Sequence, residues 1–187
     1  MRTTAYGFLV FLPITCFAHQ PAQAAEPVEV FGLPVGGKVP AWKVCPSNTD
    51  KAKSACWIDK PFVHEGVRLG SLHLPNPNSR PAWAAYVGFT ATVSAQGVLQ
   101  TLKASTVVSA DRSEIANSIG ARWGLPTTTT LYNPGIGSAT WSKSDITIEM
   151  LCQEKCYVEF QSAANRAERE RSRQEQARRD AVRPVSP

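Results

Sequence analysis

Between Asp111 and Pro126 the chain carries a helix whose two ends are both specified locally, and this stretch constrains the fold more than any other. Asp111 is followed three residues later by Glu114, the spacing of a capping box with Asp in the capping place. Ile115, Ile119 and Trp123 recur at every fourth residue, so a single apolar stripe runs along the helix. Gly124 can take the positive φ of a C-terminal cap, and Pro126 prevents the helix from resuming. A helix with one apolar stripe needs a flat apolar partner, and strand patterns stand on both sides of it.

Upstream, Val87, Phe89, Ala91 and Val93 alternate with Gly88, Thr90 and Thr92, the pattern of a half-buried strand. Ser94-Ala95-Gln96-Gly97 reads as a hairpin loop. The return strand sets Leu102, Ala104, Thr106 and Val108 against Thr101, Lys103 and Ser105. Downstream, Thr140-Trp141 opens a strand; Ile146, Ile148 and Met150 form a further inward face, and Val158 and Phe160 another after the tight Cys152–Cys156 turn. Val28 to Phe31 and Val67 to Leu74 are short strand candidates nearer the start. The threonine run Thr127 to Thr130 and the sequence Asn133-Pro134-Gly135-Ile136-Gly137 read as a wide loop. They do not form a phosphate-binding loop, because no Lys and Ser or Thr follow Gly137 in the required places. The expected fold is α+β: an antiparallel sheet of about five or more strands with one helix packed on one face, plus a charged C-terminal helical extension. Over Asp111 to Phe160, with Gly124-Leu125-Pro126 and the later Trp141, this order resembles the helix-then-sheet unit of small outer-membrane assembly lipoproteins. The general layout is similar to beta-lactamase inhibitor proteins. The resemblance implies an exported module and carries over no contact residue.

Residues 1–24 read as a signal peptide: Arg2 supplies charge, Phe8 to Ala18 an apolar core broken by Pro13 and Thr15, and Ala22-Gln23-Ala24 a small-x-small cleavage site. Cleavage near Ala24 places the mature chain in the periplasm or outside the cell. The segment is shorter than the roughly twenty apolar residues of a membrane span. Leu12-Pro13-Ile14-Thr15 before Cys16 departs from a lipobox, which wants a small residue directly before the cysteine. Four cysteines then remain, Cys45, Cys56, Cys152 and Cys156, and an even count in an oxidising compartment points to disulfides. Local closure favours Cys45–Cys56 and Cys152–Cys156 among the three possible pairings. A zinc site would need close-spaced ligands from another segment, where only His64 and His73 are at hand, so neither metal nor cofactor is expected.

Residues 25–162 are thus expected to be one α+β domain with two disulfides, and residues 163–187 a charged, solvated tail, helical or disordered. Arg166, Arg169, Arg171, Arg173, Arg178 and Arg179 alternate there with Glu168, Glu170, Glu175 and Asp180, without an apolar stripe to dock the helix or insert it in a membrane. The net charge of +5 over 187 residues is modest and its surplus falls late, so no basic groove for nucleic acid is expected, and the tail offers at most weak contact with an anionic surface.

No motif belongs to a known chemistry. The leading expectation is a non-enzymatic exported module that binds an envelope or extracellular protein. Its candidate contact residues are Trp42 and Trp57, flanking the Cys45–Cys56 loop, with Asn133 and Ile136 in the glycine-rich loop. The alternative is a small periplasmic hydrolase or ligand-binding protein using His64, Glu65 and His73, which requires those groups to converge in a cleft although no nucleophile elbow is present.

Overall fold

The computed structural model describes residues 26–85, 87–106, 111–131 and 135–182. The strands, in chain order, are β1 (Val28–Val30), β2 (Leu33–Val35), β3 (Cys56–Trp57), β4 (Phe62–His64), β5 (Val67–His73), β6 (Val87–Val93) and β7 (Leu99–Thr106). Helix α1 (Arg112–Trp123) follows, then β8 (Thr128–Thr129), β9 (Gly137–Ser142), β10 (Ile146–Cys152), β11 (Cys156–Ser162) and helix α2 (Ala163–Val182). Nine of the strands form one antiparallel sheet in the order β3-β5-β6-β7-β11-β10-β9-β8, with β4 also paired to β5. The expected signal segment, the inward place of Val108, and Asn133 all lie outside the described residues.

The alternation read in the sequence sets the two faces. Phe89, Ala91, Leu102, Ala104, Val158, Phe160, Ile148, Met150, Ala139 and Trp141 are buried on the inner face. Helix α1 covers that face with Ile115, Ala116 and Ile119, and the β1–β2 hairpin with Val30, Leu33 and Val35; all belong to one core. Asp111 caps α1 as expected, its carboxylate accepting from the Ser113 N–H at 2.7 Å, while Gly124 at φ 80° ends the helix and donates to the Gly120 carbonyl at 2.8 Å. Trp141 ties that end to the sheet, its indole N–H donating to the Gly124 carbonyl at 2.9 Å. The outer face is polar: Thr90, Lys103, Glu159 and Glu149 stand in one row across β6, β7, β11 and β10.

The hairpin turn between β1 and β2 is Phe31-Gly32, with φ of 50° and 78°. A two-residue hairpin turn of this hand needs positive φ at both places, which a glycine takes freely and a phenylalanine does not. Phe31 is held there by its ring, which meets Phe89 and Phe160 at 5.5 Å and Trp83 at 5.9 Å, all edge-on.

The threonine run is corrected from loop to edge strand. Thr128 and Thr129 pair with Thr140 and Ala139, and the Thr127 and Thr130 N–H groups donate to the Thr140 and Ser138 carbonyls at 2.7 and 2.8 Å. β-Branched residues suit a half-exposed strand, and the Thr130 and Ser138 hydroxyls bond each other at 2.7 Å across the pair. Helix α2 leaves β11 directly. Its first turns touch the outer face through Arg166, which donates to the Thr147 hydroxyl at 3.1 Å, and Arg169, 3.2 Å from Glu159; beyond them it is exposed. No helix among the described residues is long and apolar enough to cross a membrane.

Candidate functional site

Residues 36–39 are laced onto the β6–β7 hairpin: the Gly36 N–H donates to the Leu99 carbonyl at 2.7 Å and the Val39 N–H to the Gly97 carbonyl at 2.9 Å. From that anchor the chain runs through Pro40 to Trp42, whose ring stands edge-on against Trp57 at 5.2 Å. Lys43 to Cys45 then lie extended along β3. The Trp57 N–H donates to the Lys43 carbonyl at 2.9 Å, the Cys45 N–H donates to the Trp57 carbonyl at 2.8 Å, and Val44 pairs with Trp57 as a parallel bridge. The Cys45–Cys56 disulfide closes the loop between them, and Cys152–Cys156 clamps the β10–β11 turn. Within the first loop, Asn48 caps a short turn over Thr49–Lys51, its side chain accepting from the Asp50 N–H at 3.0 Å.

A groove of about 660 Å³ opens between this extended segment and the stapled loop. Lys38, Lys43, Lys51 and Lys53 line it, with Trp42, Val44 and Pro40 as its apolar walls, and no Asp or Glu is among the lining residues. Half of the chain's eight lysines therefore meet in one place. None of the four forms an ion pair among the described residues, whose salt bridges involve only His64, Arg169, Arg171 and Arg173 as cations. Asp50, the one carboxylate of the stapled loop, lines a different cleft.

That second cleft, about 530 Å³, has His73, Asp50 and Arg80 in its lining. The Arg80 guanidinium donates to the Leu74 and Pro75 carbonyls and, at 3.4 Å, to the Ala84 carbonyl, while lying 5.0 Å above the Phe89 ring. Burial pulls its pKa below the usual value. Its work is thereby accounted for: it staples the proline-rich connector from residues 75–84 to the sheet. A third cleft, about 310 Å³, lies between α1 and the β1–β2 turn and is walled by Phe31, Trp83, Trp123 and Phe160.

The structure separates the residues singled out in the sequence. Trp42 is half-buried and fronts the lysine groove. Trp57 is corrected: at 2% exposure it is a core residue, so it supports Trp42 from behind and presents no contact surface. Ile136 is 50% exposed beside the Cys152–Cys156 turn. Six strand spacings separate β3 from β9, on the order of 25–30 Å, so Ile136 belongs to another surface. The histidines do not converge. His64 is exposed at the β4–β5 turn, 3.9 Å from Glu65, whereas His73 ends β5 six residues beyond Val67, its partner strand's neighbour to His64. That is roughly 20 Å along an extended strand. Among the described residues no group of three or more His, Cys, Asp and Glu could hold a metal ion.

The lysines were not legible as a site because they are scattered over residues 38–53, separated along the chain by up to seven other residues. The Cys45–Cys56 disulfide, the Val44–Trp57 bridge and the pairing of Lys38 with Val98 bring them together. Comparison with protein-family models, with curated proteins and with solved structures finds no match to this chain.

Proposed function

We propose that this chain is an exported, non-enzymatic binding module, periplasmic or secreted after cleavage near Ala24, that docks an envelope or extracellular protein through the groove between Lys38 and Cys56. The observation that carries this reading is the collection of four unpaired lysines around a half-buried tryptophan in an open groove that no carboxylate lines. Like charges brought together repel, and side chains so placed contribute to association more than to folding. Tryptophan is the residue type most enriched where interfaces concentrate their binding energy. Two disulfides support an oxidising location. In this reading the charged helix α2 adds a weaker contact with anionic surfaces.

The test is a crosslinked pull-down of the mature, oxidised protein from its own envelope fraction, read by mass spectrometry against a Trp42→Ala control whose cooperative unfolding shows it folded at the working temperature. The reading expects a protein enriched by the wild type and absent with the variant. An identical set of captured proteins with both would overturn it.

A further inference from the structure

Val44, which lines the groove, also has an open backbone edge. In an extended chain successive residues direct their N–H and C=O groups to opposite sides. The Lys43 carbonyl and the Cys45 N–H are turned toward Trp57, so the Val44 N–H and C=O point away from it. Neither has a hydrogen-bond partner among the described residues, and Val44 is 53% exposed. An unpaired, accessible pair of backbone groups on a strand edge is the seat on which an extended peptide adds as a further strand.

We propose, resting on the function proposed above, that the groove takes an extended acidic segment of the partner protein, which pairs with the Val44 backbone and sets its carboxylates among Lys38, Lys43, Lys51 and Lys53. Side chains of an added strand alternate, so acidic residues at every second position reach the lysines while the intervening ones meet Trp42, Val44 and Pro40. The other free edges lack this combination. Strand β8 shows threonines and no lysine, the Thr129 and Thr130 hydroxyls already bonding Ser138, and β4 offers three residues after Pro61. An anionic lipid or polyphosphate satisfies the lysines and leaves the strand edge unused, which is why a peptide is the occupant favoured.

The probe is a synthetic peptide of about eight residues with Glu at every second position, against the same peptide with Lys in place of Glu, inorganic polyphosphate, and phosphatidylglycerol vesicles. Binding to the mature, oxidised protein is followed by amide exchange and by titration. The acidic peptide is expected to bind and to slow exchange at Val44, and the Lys peptide is expected not to bind. Changing the four lysines together to Ser should weaken binding about thirtyfold. Val44→Pro removes the N–H without touching charge or the two bonds to Trp57, and should weaken it about three- to tenfold. Unchanged Val44 exchange in the bound state, indifference to the lysine variant, or binding of polyphosphate or vesicles in place of the peptide would each overturn the proposal. A Trp42-dependent partner captured by a chain that ignores the acidic peptide would leave the binding module standing and remove this inference alone.

Discussion

Phe31 makes a test of the fold in which the usual order of substitutions is inverted. Removing its ring takes away edge contacts with Phe89, Phe160 and Trp83. Because the ring is only half-buried, the loss belongs at the low end of the range for Phe→Ala, about 3 kcal/mol. The backbone adds a second term. At φ 50° a residue with a Cβ carries a penalty of about 1–2 kcal/mol that glycine escapes, and glycine's greater freedom when unfolded returns part of that difference. Phe31→Gly is therefore expected to cost about 2 kcal/mol and Phe31→Ala about 3, although glycine is normally the more destabilising of the two. Urea unfolding of the oxidised protein, followed by tryptophan fluorescence, measures both. The glycine variant's midpoint should lie about 0.5 M above the alanine variant's, with unchanged slope. An alanine variant as stable as the glycine variant, or more so, would refute the argument that packing holds this turn in a strained conformation.

Opening the Cys45–Cys56 bridge by a double Cys→Ser substitution should cost about 2.8 kcal/mol from the entropy of its loop, against about 2 kcal/mol for Cys152–Cys156 with its shorter span, read from the same unfolding curves. Trp57→Ala should lower stability by about 3–5 kcal/mol, as for any large core truncation, while Trp42→Ala should cost much less and instead abolish partner capture. Arg80→Met leaves the Leu74, Pro75 and Ala84 carbonyls without their donor; a loss of about 1–3 kcal/mol is expected by thermal or urea unfolding.

What was legible in the sequence is what local chemistry decides. Helix α1 is bounded where Asp111 and Gly124 place its ends, and β6 spans the run in which Val87 to Val93 alternate. Both need only their own residues to be read. Strands β3, β4 and β8 are two or three residues long and exist because a neighbour offers a ladder, so their own patterns are too short to declare them. Strand β2 is three residues long with a proline at its centre; Pro34 sits opposite Glu29 in a two-stranded ladder where a missing N–H is tolerated. Trp42 and Trp57 looked equivalent as flanks of one loop. Their difference arises from tertiary placement: Trp57 pairs with Leu72 inside the sheet, while Trp42 packs on it from the groove. The lysine groove is a product of a covalent staple and of two backbone bridges, Lys38–Val98 and Val44–Trp57, which do not show in charge counts along the chain.

Docking of a partner at the Lys38–Cys56 groove is open to site-specific photocrosslinking in the native envelope. A benzoyl-phenylalanine would be placed in turn at Val44, at Leu125 and at Leu151, all exposed, with only the first in the groove. The expected result is a discrete crosslinked adduct from position 44 that disappears with Trp42→Ala, and none from positions 125 and 151. Adducts from Leu125 or Leu151 with none from Val44 would place the docking surface elsewhere and rule out the groove.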